Sequence, residues 1–228
     1  MKPINIMVNG MPGNMAVNLA THALTDPRFN LVPASLTGPE ITTPEHSLPE
    51  TTFRLFPPAK ADHAISGIIE MYSPFISIDY THPTAVNTNA ELYCRYNLPF
   101  VMGTTGGDRQ KLAQTVEDST ISAVIAPNMA KQIVGFQAMM AYAAENFPGL
   151  FKGYSLEIKE SHQQGKADTS GTAKAMVNYF NALGMPFNVA DIVQERDPQR
   201  QKTVWGIPDE SLSGHGWHTY TLISGDGS

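Results

Sequence analysis

The sequence predicts an α/β protein in two domains, a doubly wound parallel sheet followed by an α+β unit built on a mixed sheet. Three observations predict this. Short apolar runs at 4–8, 75–80, 100–103 and 121–126 alternate with stretches of helical spacing, the pattern of parallel strands joined by helices. These runs end in turn-forming or polar residues, where open α/β sheets place their ligands. From Lys131 the pattern changes to one long helix, KQIVGFQAMMAYAAENF, and then to period-two segments, YSLEIKE and WHTYTLI. The boundary is placed near Ala130, giving domains 1–130 and 131–228. A chain of 228 residues with 42% apolar and 16% charged residues can bury an ordinary globular core.

The first domain opens with an apolar strand at 4–8, a turn from Asn9 to Asn14, and a helix at 15–24 with Ala16, Leu19, Ala20 and Ala23 on one face. Strand, glycine loop and helix in this order open a dinucleotide-binding unit. Gly10 and Gly13 would let a pyrophosphate approach the backbone, and Ala16 would allow close helix–strand packing. The same spacing also serves a plain turn. A second strand is expected at 31–36. It ends in Leu36-Thr37-Gly38 with no acid before Glu40. An acid there usually holds a ribose 2′-OH, so its absence leans toward NADPH over NADH. Residues 39–60 read as loop, with TTFRLF as a short strand. A helix at 65–72 leads to the strand FISIDY, which ends in Asp79-Tyr80-Thr81-His82-Pro83. His82 is read as capping or packing at the start of the next helix, 84–96, with a catalytic role as the alternative. Strand 100–103 runs into Thr104-Thr105-Gly106-Gly107, helix 108–117 follows, and strand 121–126 ends at Pro127-Asn128-Met129.

Composition excludes several classes. A net charge of −6 lacks the basic face of a nucleic-acid binder, though it leaves room for a small anion held by local cations. The lone cysteine, Cys94, precludes an intrachain disulfide and a cysteine-based zinc site, and no metal is expected. It lies in the helical pattern ELYCRY and is expected to be a buried, inert thiol. Met1-Lys2-Pro3 leads straight into a strand rather than a signal peptide, and no apolar run approaches the ~20 residues of a membrane span. A cytoplasmic enzyme is expected, or one of the plastid stroma once a transit peptide is removed.

The second domain is organised around ESHQQGKADTSGTA, residues 160–173. An imidazole at His162 and an ammonium at Lys166 precede a turn, and Ser170 reads as the N-cap of a helix running from Gly171 to about Leu183. The first-turn N–H groups at Gly171 and Thr172 carry the positive end of the helix dipole and suit a carboxylate. Each piece also has a plain reading: a solvated histidine, a capped helix. Further strands are expected at 192–196, 203–207 and 217–223.

VNGMPGNMA at 8–16, IDYTHP at 78–83, FVMGTTGGDR at 100–109, APNM at 126–129 and ESHQQGKADTSGTA at 160–173 together resemble the dihydrodipicolinate reductase (4-hydroxy-tetrahydrodipicolinate reductase) family of lysine biosynthesis, in its plant and cyanobacterial form. The resemblance implies a Rossmann-like first domain and NAD(P)H-dependent reduction of a cyclic dicarboxylate. It implies cofactor contacts at Gly10, Met11, Pro12, Gly13, Asn14 and Met15, and on the nicotinamide side at Gly103, Thr104, Thr105, Ala126, Pro127, Asn128 and Met129. It implies that His162 and Lys166 handle the proton, and that Gln163, Lys166, Gly171 and Thr172 bind substrate. Gln163 stands where the common bacterial form has a second histidine, and ADTSGT is one residue shorter than the bacterial motif. The family's pattern runs on past the position of Ser228 through a further strand and a helix that returns to the first domain. A homo-oligomer, dimer or tetramer, is expected. The rival readings are a non-catalytic NAD(P)-binding sensor and another small-substrate dehydrogenase, which would want a different acid–base set or a reactive cysteine.

Overall fold

Strand β1 (Ile4–Asn9) is apolar on both faces at its centre, so it needs cover on both sides and strand partners on both edges. It finds β2 (Phe29–Leu31) on one edge and, after further crossovers, β6 (Ile76–Asp79) on the other. With β7 (Phe100–Met102) and β8 (Ala123–Ile125) they form a five-stranded parallel sheet in the order β2-β1-β6-β7-β8. The crossovers are α1 (Asn14–Leu24), α2 (Ala61–Tyr72), α3 (Val86–Arg95) and α4 (Arg109–Glu117). The computed structural model describes residues 2–126, 128–164 and 169–226. Its chain contacts divide it into two compact units, Met1–Pro127 and Asn128–Ser228.

The segment expected as a single second strand, 31–36, is two. β2 stays in the main sheet and ends at Leu31. The chain then leaves through Val32 and Pro33, and β3 (Ala34–Leu36) pairs in parallel with β5 (Thr51–Phe56). Pro33 has no N–H with which to continue a ladder, so the break falls there. A strand absent from the sequence reading, β4 (Glu45–Leu48), pairs antiparallel with β5 and completes a three-stranded sheet in the order β3-β5-β4. EHSL is polar and weak in β propensity, so only its partner reveals it. His82 takes the capping role: its Nδ1 accepts the Thr84 N–H at 3.3 Å, at the start of a 3₁₀ turn, Pro83–Ala85. Cys94 is half-buried rather than buried.

The core of this unit holds Met7, Ile65, Tyr93, Phe100, Met102 and Leu112. A buried polar knot fixes the carboxyl ends of its strands. Asp79, with no exposure, accepts from Thr81 N–H and Oγ1, Thr104 Oγ1, Asn89 Nδ2 and the Tyr93 hydroxyl, all at 2.7–3.0 Å. Asn9 donates to Ser77 Oγ and to the Tyr93 oxygen, and its own Oδ1 accepts the Leu36 N–H. Burial, then the Asp79 charge, pushes the Tyr93 phenol well above its ordinary range.

In the second unit, α5 (Lys131–Asn146) precedes β9 (Ser155–His162), α6 (Gly171–Ala182), β10 (Val193–Glu195), α7 (Pro198–Thr203) and β11 (Gly216–Ile223). β9 is the middle strand of a mixed sheet, parallel to β10 and antiparallel to β11. Its alternate residues Leu156 and Ile158 face a core of Met176, Val177, Phe180, Leu183 and Met185. Each such side chain contributes about 1.5–3 kcal/mol on burial. The strand expected at 203–207 does not form. Pro198 opens α7 at a helix start that Asp197 caps by accepting the Gln199 N–H, and the chain then turns at Gly206, φ +65°. A capped proline start outweighs the β-branched residues that follow.

Candidate active site

The first unit offers a cradle where β1 passes into α1. Gly10 has φ +108°, and a Cβ on it would stand 2.3 Å from the Tyr80 carbonyl oxygen. Gly13 donates its N–H to the Gly10 carbonyl at 2.8 Å, and a Cβ there would stand 2.8 Å from that oxygen. Both places therefore require glycine. Gly13 is also the N-cap of α1 and supplies no side-chain cap, so the first-turn N–H groups keep the positive end of the helix for water or an anion. Pro12, Asn14 and Met15 are exposed around it. Met11 is different: its side chain is fully buried, its N–H goes to Ser35 Oγ, and its carbonyl accepts from Thr37 Oγ1. Beside the loop lies a cleft of about 280 Å³ whose walls include Gly10, Gly13, Thr37, Gly38, Glu40 and His82. A tight glycine turn, an uncapped helix start and a cleft beside them fit the pyrophosphate and ribose of a dinucleotide.

Glu40 alters the reading of the strand end. Its carboxylate folds back over Gly38, so that a Cβ on that glycine would meet Oε1 at 2.2 Å. The acid missing from Thr37-Gly38 in sequence is thus supplied in space from the same cleft.

The remaining predicted cofactor residues of this unit lie at the ends of β7 and β8. Gly103 and Thr104 donate their N–H groups to the Asp79 carbonyl, and the Thr104 hydroxyl is held by the Asp79 carboxylate. Thr105 is exposed, and Ala126 donates its N–H to the Met102 carbonyl. Gly103 leaves room for the Tyr80 ring, whose phenol burial pushes up. Pro127 lies outside the described residues.

In the second unit, one end of the inner face of β9 turns from apolar to polar. Past Leu156 and Ile158 come Glu160 and His162. The antiparallel register sets His218 of β11 opposite Glu160, and Tyr220 opposite Ile158. Glu160 has no exposure. Its Oε1 accepts from Arg196 Nη2 at 2.5 Å and stands 3.8 Å from His162 Nδ1. Its Oε2 accepts the Ser170 N–H at 2.9 Å. The His162 side chain is 12% exposed, its ring centre 5.3 Å from that of His218. Its carbonyl accepts from Gln201 Nε2 at 2.7 Å. Gly216 lies opposite His162 in the ladder, and a Cβ on it would stand 3.1 Å from His162 Nε2. The Tyr220 hydroxyl is buried with no hydrogen-bond partner among the described residues; burial, then the Glu160 charge, pushes it up to about 12.

Ser170 is the N-cap of α6, as expected, but its hydroxyl makes no capping bond; its N–H is the group engaged, by Glu160. Among the described residues, a Cβ on Gly171 would meet nothing within 4 Å, so their side chains leave the helix start open. Thr172 Oγ1 accepts from Asn128 Nδ2 at 3.1 Å, and Asn128 Oδ1 accepts the Ala130 N–H. Asn128, read as lining the cofactor, is thus bonded to Thr172, itself read as a substrate residue, within its own unit. Gln163 is half-buried, and Met129 is exposed. Lys166 lies outside the described residues.

Glu160, His162 and His218 also have one potential ligand atom each within a mutual 4.8 Å. The Arg196 guanidinium already sits on the carboxylate and would repel a divalent cation, so the group suits proton handling better than a metal. Sequence reasoning missed Glu160, Arg196 and His218. The alternation of WHTYTLI carried a signal for His218, since it puts His218 and Tyr220 on one face; the pairing that sets them beside β9 is not written in either strand.

The family profile described as "Dihydrodipicolinate reductase, N-terminus" matches residues 4–129. The chain is 47% identical over 221 residues to the protein named probable 4-hydroxy-tetrahydrodipicolinate reductase 1, chloroplastic, of Oryza sativa subsp. japonica, covering 97% of this chain and 64% of that relative. It is 45% identical over 223 residues to the 4-hydroxy-tetrahydrodipicolinate reductase 2, chloroplastic, of Arabidopsis thaliana, covering 98% and 64%. The chain thus spans about two thirds of the length of these relatives. Among solved structures, the dipicolinate-bound dihydrodipicolinate reductase from Paenisporosarcina sp. TG-14 shares the fold, with TM-score 0.61, 22% identity, and coverage of 86% of this chain and 79% of that one. With more than half its length under the family profile, the chain belongs to the dihydrodipicolinate reductase family.

Proposed function

We propose that the protein reduces 4-hydroxy-tetrahydrodipicolinate (dihydrodipicolinate) to tetrahydrodipicolinate in lysine (diaminopimelate) biosynthesis, with NAD(P)H as reductant. The observation that carries this reading is the joining, in one unit, of an imidazole at the end of a central strand to an open helix start through a shared buried carboxylate. The N–H groups of Gly171 and Thr172 would hold a substrate carboxylate, with Asn128 fixing Thr172. Gln163 would hydrogen-bond the same substrate. His162 would exchange the proton that balances the reduction, and Lys166 would serve as second acid and carboxylate partner. The bound nicotinamide supplies the hydride. Gly10, Gly13, Asn14 and the start of α1 would bind its pyrophosphate, with Thr105 and Ala126 toward the nicotinamide side.

NADPH is proposed as the favoured donor over NADH because β3 ends without an acid of its own, and Glu40 as the residue that narrows the margin by bringing a carboxylate to that place. Glu40→Gln should raise the ratio of kcat/KM for NADPH over NADH. A plastid stromal location is proposed from the chloroplastic relatives, and a homo-oligomer from the outer sheet face of the second unit, where Val193 and Trp217 are exposed; light scattering in solution reports the latter.

The decisive test is a coupled assay with pyruvate, aspartate semialdehyde and the preceding synthase, following NADPH absorbance. Oxidation that requires the synthase product supports the reductase. Cofactor binding without turnover, from folded protein, would make it a sensor.

A further inference from the structure

We propose that Glu160 is the positioning residue of this site, a buried carboxylate that sets both the imidazole and the substrate-binding helix start. The proposal rests on the reductase reading above. Among the described residues, Glu160 alone reaches both halves. Oε2 takes the N–H of Ser170, the cap of α6, at 2.9 Å. That bond fixes the residue from which the helix departs, and so the direction in which the Gly171 and Thr172 N–H groups point. Oε1 stands 3.8 Å from His162 Nδ1, on the same strand face and away from water. An anion there favours the protonated ring and holds Nδ1 inward. Nε2 is then the reactive nitrogen, and Gly216, opposite it in the ladder, sets no side chain against it.

Packing does not account for this residue. Its neighbours on the inner face of β9 are Leu156 and Ile158, and a buried carboxylate is a costly way to fill space there. Arg196, 2.5 Å from Oε1, pairs the carboxylate and tempers its field on the imidazole. The groups facing His162 are Glu160 on its own strand, Arg196 beyond β10, His218 on β11 with Tyr220 behind it, and Gln201 of α7 on its carbonyl. Lys166 follows in sequence, outside the described residues.

The charge logic predicts opposite signs for two substitutions. Glu160→Gln removes the anion, and an amide cannot accept from both Arg196 and Ser170 as the carboxylate does. The alkaline limb of kcat should move to lower pH by on the order of 1 unit. Affinity for 2,6-pyridinedicarboxylate should fall about 10-fold, the scale of one lost charge-assisted hydrogen bond. NADPH affinity, which belongs to the other unit, should hold. Arg196→Gln removes the tempering cation, so the limb should move to higher pH.

The experiment is the pH profile of kcat for the three proteins, calorimetry with 2,6-pyridinedicarboxylate and NADPH, and an NMR titration of the His162 ring. Glu160→Gln protein whose second unit is folded, as judged by circular dichroism and a cooperative thermal transition, yet keeps both the limb and the analogue affinity within twofold, overturns the proposal. So does a shift of the same sign in both variants. If Glu160→Gln does not fold, the direction of the Arg196→Gln shift decides alone, and an unmoved or acid-shifted limb overturns it. A wild-type protein without turnover overturns the reductase reading instead. The ring titration and the analogue affinity still report on Glu160 in that case.

Discussion

His162 gains its chemistry from what surrounds it rather than from its own type. It is 12% exposed, beside a buried anion and opposite a glycine, which is a setting for proton exchange rather than for packing. His162→Ala should lower kcat by about 10²–10⁴ with a modest change in KM, as loss of a general acid does; steady-state kinetics on folded variant checks this. Gly10 shows the same dependence on place. With φ +108° and the Tyr80 carbonyl 2.3 Å from a would-be Cβ, Gly10→Ala should distort the loop and abolish measurable NADPH binding by calorimetry. Tyr220 sets a stability prediction. Its hydroxyl is pushed up to about 12 in the folded protein, while in the unfolded chain it ionises near its ordinary 10.0. Between these values the folded state holds a proton that the unfolded state has released. Stability is therefore fully present below pH ~10 and lost as pH rises toward ~12. Tyr220→Phe should reduce that alkaline loss and leave stability near neutral pH unchanged or higher, because the hydroxyl it removes is buried without a partner among the described residues; denaturant unfolding at pH 8 and pH 11 measures both.

At the scale of elements, α6 matters for its first turn. A leucine at position 172 would remove the hydroxyl that Asn128 donates to and crowd the open space beside Gly171. Thr172→Leu should raise KM for the dicarboxylate at least several-fold and leave NADPH affinity unchanged; paired calorimetry distinguishes the two. The strand–glycine–helix opening and the alternating parallel sheet were legible because their signals are local: apolar runs of strand length and glycines where only glycine fits. The start of α6 was legible from Ser-Gly-Thr, although the capping bond expected of the Ser170 hydroxyl is replaced by its N–H on Glu160. What the sequence hid depends on partners distant in the chain. The division of 31–36 between two sheets follows from Pro33 and from β5, which lies beyond the loop. β4 exists only because β5 pairs with it. Glu160 reads as one more polar residue of an alternating strand until Arg196, 36 residues on, and Ser170, 10 residues on, close upon it.

For the whole molecule, the proposed function gives each compact unit a recognition task of its own: the glycine cradle in Met1–Pro127, the imidazole and helix start in Asn128–Ser228. A ligand that binds only the folded form raises stability by about 2.7 kcal/mol at 100 times its Kd. Scanning calorimetry should thus show NADPH raising the transition of the first unit and 2,6-pyridinedicarboxylate that of the second, with a single shared transition shifted by either ligand as the contrary result. The placement of β9 adds a consequence. Among the described residues it is the one strand of its sheet bonded on both edges, by β10 at three paired positions and by β11 at eight. Where both edges are paired, its amide protons can meet deuterium from solvent only when a neighbouring strand detaches, so residues 159–161 should be among the slowest to exchange in that unit. The histidine proposed to handle the proton would then be carried on the most reluctant foldon of its half of the protein, and activity should disappear together with that exchange protection rather than ahead of it.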